Sequence, residues 1–81
     1  MKRSIELYGR LRDAGAGDSI MIDLPERATA RQTLAAVKKA LGRRGGLVDG
    51  CSLATDEDVL LPSDPVPAKG RLAALPPVCG G

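Results

Sequence analysis

A single segment of this chain can form an α-helix, and that limit constrains the fold more than any other feature. Residues 30–41 carry apolar side chains at helical spacing. The stripe consists of Leu34, Val37 and Leu41. Thr29 and Gln32 fit a capping box at the start of the helix, and Gly42 suits its end. Elsewhere apolar and polar residues alternate over short runs, which favours strands. The core must therefore come from a sheet with one helix packed across it.

Short strands are predicted on both sides of that helix, each bounded by glycine, proline or charged turn residues. Their ranges are 4–8, 18–24, 51–55, 59–61 and 71–75, with loops over 9–17, 43–50 and 62–70. A glycine-rich loop joins the first two strands, so a hairpin is expected there. The order ββαβββ predicts an α+β fold, a ubiquitin-like β-grasp with a mixed sheet of about five strands and one packed helix. We assign residues 1–76 to this domain and residues 77–81 to a flexible C-terminal Gly-Gly tail.

Strand alternation divides the apolar residues between two faces of the predicted sheet. Ile5 and Leu7 share the core face of the first strand, whereas Tyr8 falls on the opposite face. Leu75 falls on the corresponding face of the last strand. An exposed apolar cluster on so small a chain indicates a partner surface. The alternative is that both side chains are simply half-buried.

The composition argues against several classes of function. The 81 residues include no histidine, the commonest general base and metal ligand, so we expect no autonomous catalysis, no bound cofactor and no metal site. Cys51 and Cys79 are too few for a zinc site, and residues 56–58 (DED) are typical of a solvated turn. Tyr8 is the only aromatic residue, which argues against binding of single-stranded nucleic acid. No run approaches the roughly 20 apolar residues that cross a bilayer, so a cytoplasmic location without membrane contact is expected.

Basic residues cluster although the formal net charge is only +2. The members of this cluster are Arg31, Lys38, Lys39, Arg43 and Arg44. Two interpretations stay open: the solvated face of a helix, or a docking patch for an acidic partner.

The C-terminal segment carries the strongest functional signal in the sequence. Pro76-Pro77 cannot continue strand pairing, because proline has no N–H, and it stiffens the base of the segment. Gly80 and Gly81 have no side chains, so they can enter a narrow channel in a partner and present a terminal carboxylate as an acyl group. The alternative is a C-terminus without function. Cys79 is either a tolerated small residue or a thiol capable of exchange.

The chain resembles the MoaD/ThiS family of ubiquitin-like sulfur carriers over nearly all of its 81 residues. The most specific piece is residues 72–81 (LAALPPVCGG), which is similar to the "LPPVSGG" ending of the small subunit of molybdopterin synthase. Residues 7–13 (LYGRLRD) resemble that subunit's first strand and following "LRE" segment, and residues 23–29 (DLPERAT) resemble its approach to the helix. The sequence departs from the family at Cys79, where Ser or Thr is usual, and at residues 55–56 (TD), where many relatives carry Val-Asn.

The resemblance implies a mechanism in which this chain supplies no general base. An adenylating enzyme of the ubiquitin-activating type would use ATP to adenylate the carboxylate of Gly81, and a sulfur donor would convert it to a thiocarboxylate. The sulfur would then pass to a pterin precursor in the large catalytic subunit of molybdopterin synthase. By the same resemblance, both partners would bind the chain through Tyr8, Val59, Leu75, Pro76, Pro77 and Val78, with Gly80 and Gly81 at the reacting end.

Three other functions remain open at this point. The chain could carry sulfur for thiamine or another sulfur-containing metabolite. It could be a ubiquitin-like protein modifier, whose Gly81 carboxylate forms isopeptide bonds with lysines. It could also be a binding module with a silent tail, in which case deletion of Gly80 and Gly81 should be tolerated.

Overall fold

Five strands and one α-helix follow one another in the predicted order in the computed structural model, which describes residues 1–14 and 17–77. The strands are β1 (Lys2–Leu7), β2 (Ser19–Asp23), β3 (Ser52–Ala54), β4 (Val59–Leu60) and β5 (Leu72–Leu75), and the helix is α1 (Ala30–Leu41). Two 3₁₀ helices cover Gly9–Ala14 and Gly42–Val48. The strands are shorter than predicted except β1, which begins two residues earlier because Lys2 and Arg3 pair with Asp23 and Ile22.

The sheet is mixed, with the strand order β2-β1-β5-β3-β4. β1 and β5 run parallel at its centre, and the three other pairings are antiparallel. The hairpin predicted for the first two strands is confirmed by the pairing of Ile5 with Ile20. The last strand therefore inserts between β1 and β3, and α1 packs across one face of the sheet against β2 and β3. This arrangement confirms the predicted β-grasp fold.

The helix begins and ends where the sequence predicts. The Thr29 hydroxyl accepts a hydrogen bond from the Gln32 backbone N–H at 3.2 Å, and the Gln32 side chain accepts one from the Thr29 N–H at 2.9 Å, so the capping box is complete. Val37 and Leu41 are buried as expected, whereas Leu34 is only half-buried. Thr33 is fully buried beside them, because its hydroxyl donates to the Thr29 carbonyl at 2.9 Å and needs no water.

The core lies between α1 and the sheet and is aliphatic. It comprises Ile5, Leu7, Leu11, Ile22, Leu24, Ala28, Ala30, Val37, Leu41, Val48, Leu53, Leu72 and Ala74. Each fully buried leucine or isoleucine contributes about 1.5–3 kcal/mol relative to an exposed one. Within the described residues, no helix has both the length and the apolar character needed to cross a membrane.

The first predicted loop is partly helical. The 3₁₀ helix after β1 brings Leu11 into the core, where it is completely buried, and the Leu11 N–H donates to the Tyr8 carbonyl at 3.2 Å. The apolar side chain needs this turn in order to reach the core, which the loop prediction overlooked. Gly15 and Ala16 of the same predicted loop lie outside the described residues.

The second predicted loop also contains a 3₁₀ helix, which packs against the C-terminal half of α1. Gly45 is buried there, and a Cβ atom at this position would overlap the backbone carbonyl of Lys38. Val48 on the same helix belongs to the core. Close backbone contact and one anchored apolar residue therefore order a segment whose glycines predicted irregular structure.

The fold has a clear polarity. Because β1 and β5 are parallel, their C-terminal ends lie together, and both 3₁₀ helices adjoin this end. Ser52, the first residue of β3, is paired there with Leu75. We call this the tail end of the molecule, and we call the opposite end, where residues 55–58 turn between β3 and β4, the far end.

Candidate functional site

The face of the sheet opposite α1, which we call the open face, carries three of the residues predicted to bind partners: Tyr8, Val59 and Leu75. Residues that are directly paired across strands share a face, and Val59, Ala54, Ala73 and Glu6 form one such row from β4 to β1. Val59 is 60% exposed, which is high for an apolar side chain. The predicted division of β1 and β5 into core and open faces is confirmed by the burial of alternate residues.

Tyr8 and Leu75 lie at the tail end of the open face, and both are half-buried. The Tyr8 hydroxyl donates to Glu6 Oε1 at 3.0 Å, and the Arg12 guanidinium lies 5.8 Å from the centroid of its ring. Leu75 is paired with Ser52 across the sheet. These two side chains thus border a shallow hollow whose other walls combine small apolar residues with polar and charged ones. The hollow is lined by Glu6, Tyr8, Ala54, Thr55, Asp56, Arg71, Ala73 and Leu75.

An ion pair between β1 and the start of β5 crosses this hollow. Arg71 Nε donates to Glu6 Oε2 at 2.8 Å and its Nη2 donates to Glu6 Oε1 at 2.9 Å, a bidentate contact. Asp56 Oδ1 lies 3.9 Å from Arg71 Nε. The Arg71 hydrogen bonds, with that of Tyr8, lower the pKa of Glu6 to about 2, and Glu6 in turn raises the pKa of Arg71. The open face therefore has a fixed charged pair at its centre.

A Glu6→Gln variant should be less stable than the wild type at neutral pH, and the difference should vanish in acid. The pKa of Glu6 is about 2 in the folded chain against an ordinary value of 4.5, so its contribution is complete above pH 4.5 and is lost as the pH falls through 2. Melting temperatures of both proteins across this range measure the difference. If the difference in melting temperature between the two proteins stays constant down to pH 2, the ion pair of Glu6 with Arg71 does not stabilise the fold.

The base of the C-terminal tail is held by two glycines. Gly9 has a φ of +59°, and a Cβ atom placed on it would lie 2.9 Å from Pro76 Cγ. Gly50 has a φ of +81°, and its Cβ would lie 3.7 Å from Pro77 Cγ. Both positions use a positive φ that favours glycine, and at Gly9 a Cβ would also displace Pro76, whereas at Gly50 it would make an ordinary contact with Pro77. Pro76 and Pro77 therefore rest on backbone at the tail end, beside the exit of β5.

Gly9→Ala should destabilise the fold more than Gly17→Ala. Both glycines have a positive φ, +59° at Gly9 and +83° at Gly17, but nothing lies within 4 Å of a Cβ at Gly17. A positive φ costs an alanine about 1–2 kcal/mol, so both melting temperatures should fall. Only Gly9→Ala must also displace Pro76. Equal melting temperatures would show that the contact with Pro76 does not hold the tail base, and Gly46→Ala, with open space and no positive φ, is the neutral control.

The remaining predicted site residues cannot be placed. Val78, Cys79, Gly80 and Gly81 lie outside the described residues. Cys51 is half-buried at the tail end, where its thiol donates to the Leu47 carbonyl at 3.3 Å and burial raises its pKa.

The described residues hold no group of three histidine, cysteine or acidic side chains that could bind a metal ion. The acidic residues 56–58 form an exposed turn. A larger hollow at the far end, bordered by Met1, Leu24, Pro25 and Val66, is apolar and remote from Pro76.

Three features of this site were missed by sequence reasoning. The contacts of Gly9 and Gly50 with the two prolines join segments distant in sequence, as does the pair of Glu6 with Arg71, 65 residues apart. Met21 extends the open face onto β2, where it is 60% exposed and paired with Ser4. The strand alternation that identified Tyr8 could also have identified Met21.

No family model matches this sequence, and no curated protein matches it either. Solved structures do match. The chain superposes on SAMP1 from Haloferax volcanii with a TM-score of 0.73 and 22% identity, covering 100% of both chains. A second structure, of small archaeal modifier protein 1 from H. volcanii, gives a TM-score of 0.72 and 21% identity over 95% of this chain and 98% of that one.

A candidate molybdopterin converting factor subunit 1 from Pyrococcus furiosus gives a TM-score of 0.76 and 20% identity. The match covers 96% of this chain and 99% of that protein. At this level of identity the likenesses establish the fold. It is the ubiquitin-like β-grasp fold.

Proposed function

We propose that this chain is a sulfur carrier for molybdopterin synthesis, in which the carboxylate of Gly81 is adenylated and converted to a thiocarboxylate. The observation that carries the proposal is the Gly80-Gly81 sequence beyond a Pro76-Pro77 pair that is seated on Gly9 and Gly50. The stiff proline pair sets the point at which the last residues leave the fold. The two glycines add no side chains, so the end of the tail has a small cross-section. A carrier that delivers an acyl group into another protein needs both properties.

The length of the tail sets how the partners must bind. Four residues beyond Pro77 span at most about 14 Å, even when fully extended. A partner that reacts with Gly81 must therefore approach the tail end closely, and the open face adjoins that end through Tyr8 and Leu75. We propose that this face binds two partners in turn: an adenylating enzyme of the ubiquitin-activating type, and the large catalytic subunit of molybdopterin synthase.

The proposed chemistry belongs to the partners. A free carboxylate is a poor acyl donor, so the activating enzyme joins it to the α-phosphate of ATP and pyrophosphate leaves. Sulfide or an equivalent sulfur donor then attacks the acyl carbon and AMP leaves, which gives the thiocarboxylate. The carrier contributes recognition and delivery, and it binds no cofactor of its own.

Intact-mass spectrometry tests the proposal directly. The chain is incubated with ATP, sulfide and an activating enzyme of the ubiquitin-activating type, and the product should be heavier by the difference between a sulfur and an oxygen atom. A matched sample that lacks ATP should keep the original mass. Absence of the heavier species with every related activating enzyme would contradict the carrier function.

A second function, protein modification, is favoured by one specific finding. Two of the similar structures are of a small archaeal modifier protein, and they cover 95–100% of this chain. A modifier would transfer the same activated Gly81 to lysine amines and not to a pterin precursor. An epitope-tagged chain expressed in its native host distinguishes the two: a modifier yields a ladder of conjugates, whereas a carrier stays as one species with a thiocarboxylate.

A further inference from the structure

Charge is distributed unevenly between the two ends of the molecule. The tail end holds six of the 12 basic residues but only three of the 10 acidic ones. Its basic residues, which we call the basic collar, are Arg10, Arg12, Lys38, Lys39, Arg43 and Arg44, and its acidic residues are Asp13, Asp18 and Asp49. The rest of the chain has six basic and seven acidic residues. The net positive charge of the protein therefore lies at the tail end.

The fold assembles this collar from segments that are distant in sequence. Arg10 and Arg12 lie on the 3₁₀ helix that begins at Gly9, the residue in contact with Pro76. Arg43 and Arg44 lie on the second 3₁₀ helix, which packs against the first. The contact between them includes a hydrogen bond from Arg44 Nη1 to the Asp13 carbonyl at 3.4 Å.

Arg31 does not belong to this collar. It lies in the first turn of α1, at the far end, although the sequence groups it with the lysines of the last turn. Arg10 and Arg12 take its place, because the fold brings the first 3₁₀ helix against the second. The fold thus replaces the basic cluster predicted from sequence with one that lies at the tail end.

Within residues 1–14 and 17–77, little of the collar's charge is neutralised. Lys38 Nζ contacts Asp49 Oδ1 at 2.7 Å, and Arg12 Nε lies 3.7 Å from Asp18 Oδ1. In both pairs the side chains are more than half exposed, so solvent screens them. Among the ion pairs of the described residues, none involves Arg10, Lys39 or Arg43.

We propose that the basic collar docks on an acidic protein surface surrounding the channel entrance of the enzyme that activates Gly81. This inference rests on the proposed function. The four residues beyond Pro77 reach at most about 14 Å, so the channel entrance must lie close to the collar when Gly81 reacts. Electrostatic attraction acts over a Debye length of about 8–10 Å at physiological salt. Collar arginines without an ion-pair partner among the described residues therefore steer the acidic surface and orient the tail toward the channel.

The first test reverses charge at two positions of the collar. Arg10→Glu with Arg43→Glu is compared with Arg27→Glu with Arg31→Glu, a matched control that changes the net charge equally at the far end. The collar variant should lose about tenfold or more in kcat/KM for charging at low salt, and the deficit should shrink at high salt. The control should stay close to the wild type. Equal losses in the two variants would overturn the proposal while the carrier function stands.

A second test does not depend on charging, so it remains decisive if the wild type is never adenylated. The full chain labelled with ¹⁵N is titrated with a glutamate-rich peptide and, separately, with inorganic triphosphate. Shifts of the Gly9, Gly42 and Gly50 amides with the peptide, lost in the collar variant, support an acidic protein partner. Shifts with triphosphate alone would assign the collar to a phosphate ligand and overturn the proposal, as would no shift with either probe.

Discussion

A Gly80→Val chain is expected to lose charging by the activating enzyme while it melts at the same temperature as the wild type. Valine adds a branched side chain and excludes backbone angles that only glycine adopts freely. If the channel of the activating enzyme fits two glycines closely, the valine side chain should prevent the Gly81 carboxylate from reaching ATP. The core ends at Ala74 and the proline contacts at Pro77, so the substitution leaves every described packing contact intact.

Two measurements separate these effects. ATP–pyrophosphate exchange with the activating enzyme reports adenylation, and a thermal melt reports stability. Gly46→Val is the matched control, because the same side chain is added at an exposed glycine with nothing within 4 Å of its Cβ. Normal exchange by the Gly80→Val chain would mean that no tight channel receives the tail, and the argument from Gly80-Gly81 would fail.

Local sequence rules accounted for the parts of the fold that depend on near neighbours. The bounds of α1 follow from a cap, a periodic stripe and a terminating glycine, all within 14 residues of one another, and all were predicted. The division of β1 into core and open faces follows from strict alternation. Each of these features is decided by interactions within one turn or one strand, so the sequence carries it directly.

The missed features depend on contacts between distant segments. Gly9 has its unusual role only because Pro76 packs on it, and Arg71 becomes part of the open face only because β5 inserts beside β1. Nothing adjacent to either residue in sequence indicates such a partner. The two 3₁₀ helices were missed for a related reason: the burial of Leu11 and Gly45, which orders them, is set by the sheet and by α1.

The resemblance to the MoaD/ThiS family added what local rules could not. It predicted that Val59 binds partners together with Tyr8 and Leu75. The register of β3 with β4 and β5 puts Val59 on the same open face. The binding role of these residues stays a prediction.

Val59→Glu should therefore weaken binding of the activating enzyme strongly without unfolding the chain. Val59 is 60% exposed on the short edge strand β4, so a carboxylate there stays in water in the free protein and stability should change little. In a complex that covers the open face, the same carboxylate would be buried without a partner. Loss of a central apolar contact costs about 2 kcal/mol or more, which corresponds to about a thirtyfold or greater rise in Kd.

Met21→Glu is the control for that experiment. Met21 is also 60% exposed on the open face, but it lies on β2, at the opposite edge of the sheet from Val59. The two variants add the same charge at the same exposure, so a difference between their Kd values, measured by calorimetry, reports position alone. If both bind as tightly as the wild type, the partner does not use the open face. A loss confined to Val59→Glu would place the interface on the β5-β3-β4 half of the sheet, next to the residues from which the tail departs.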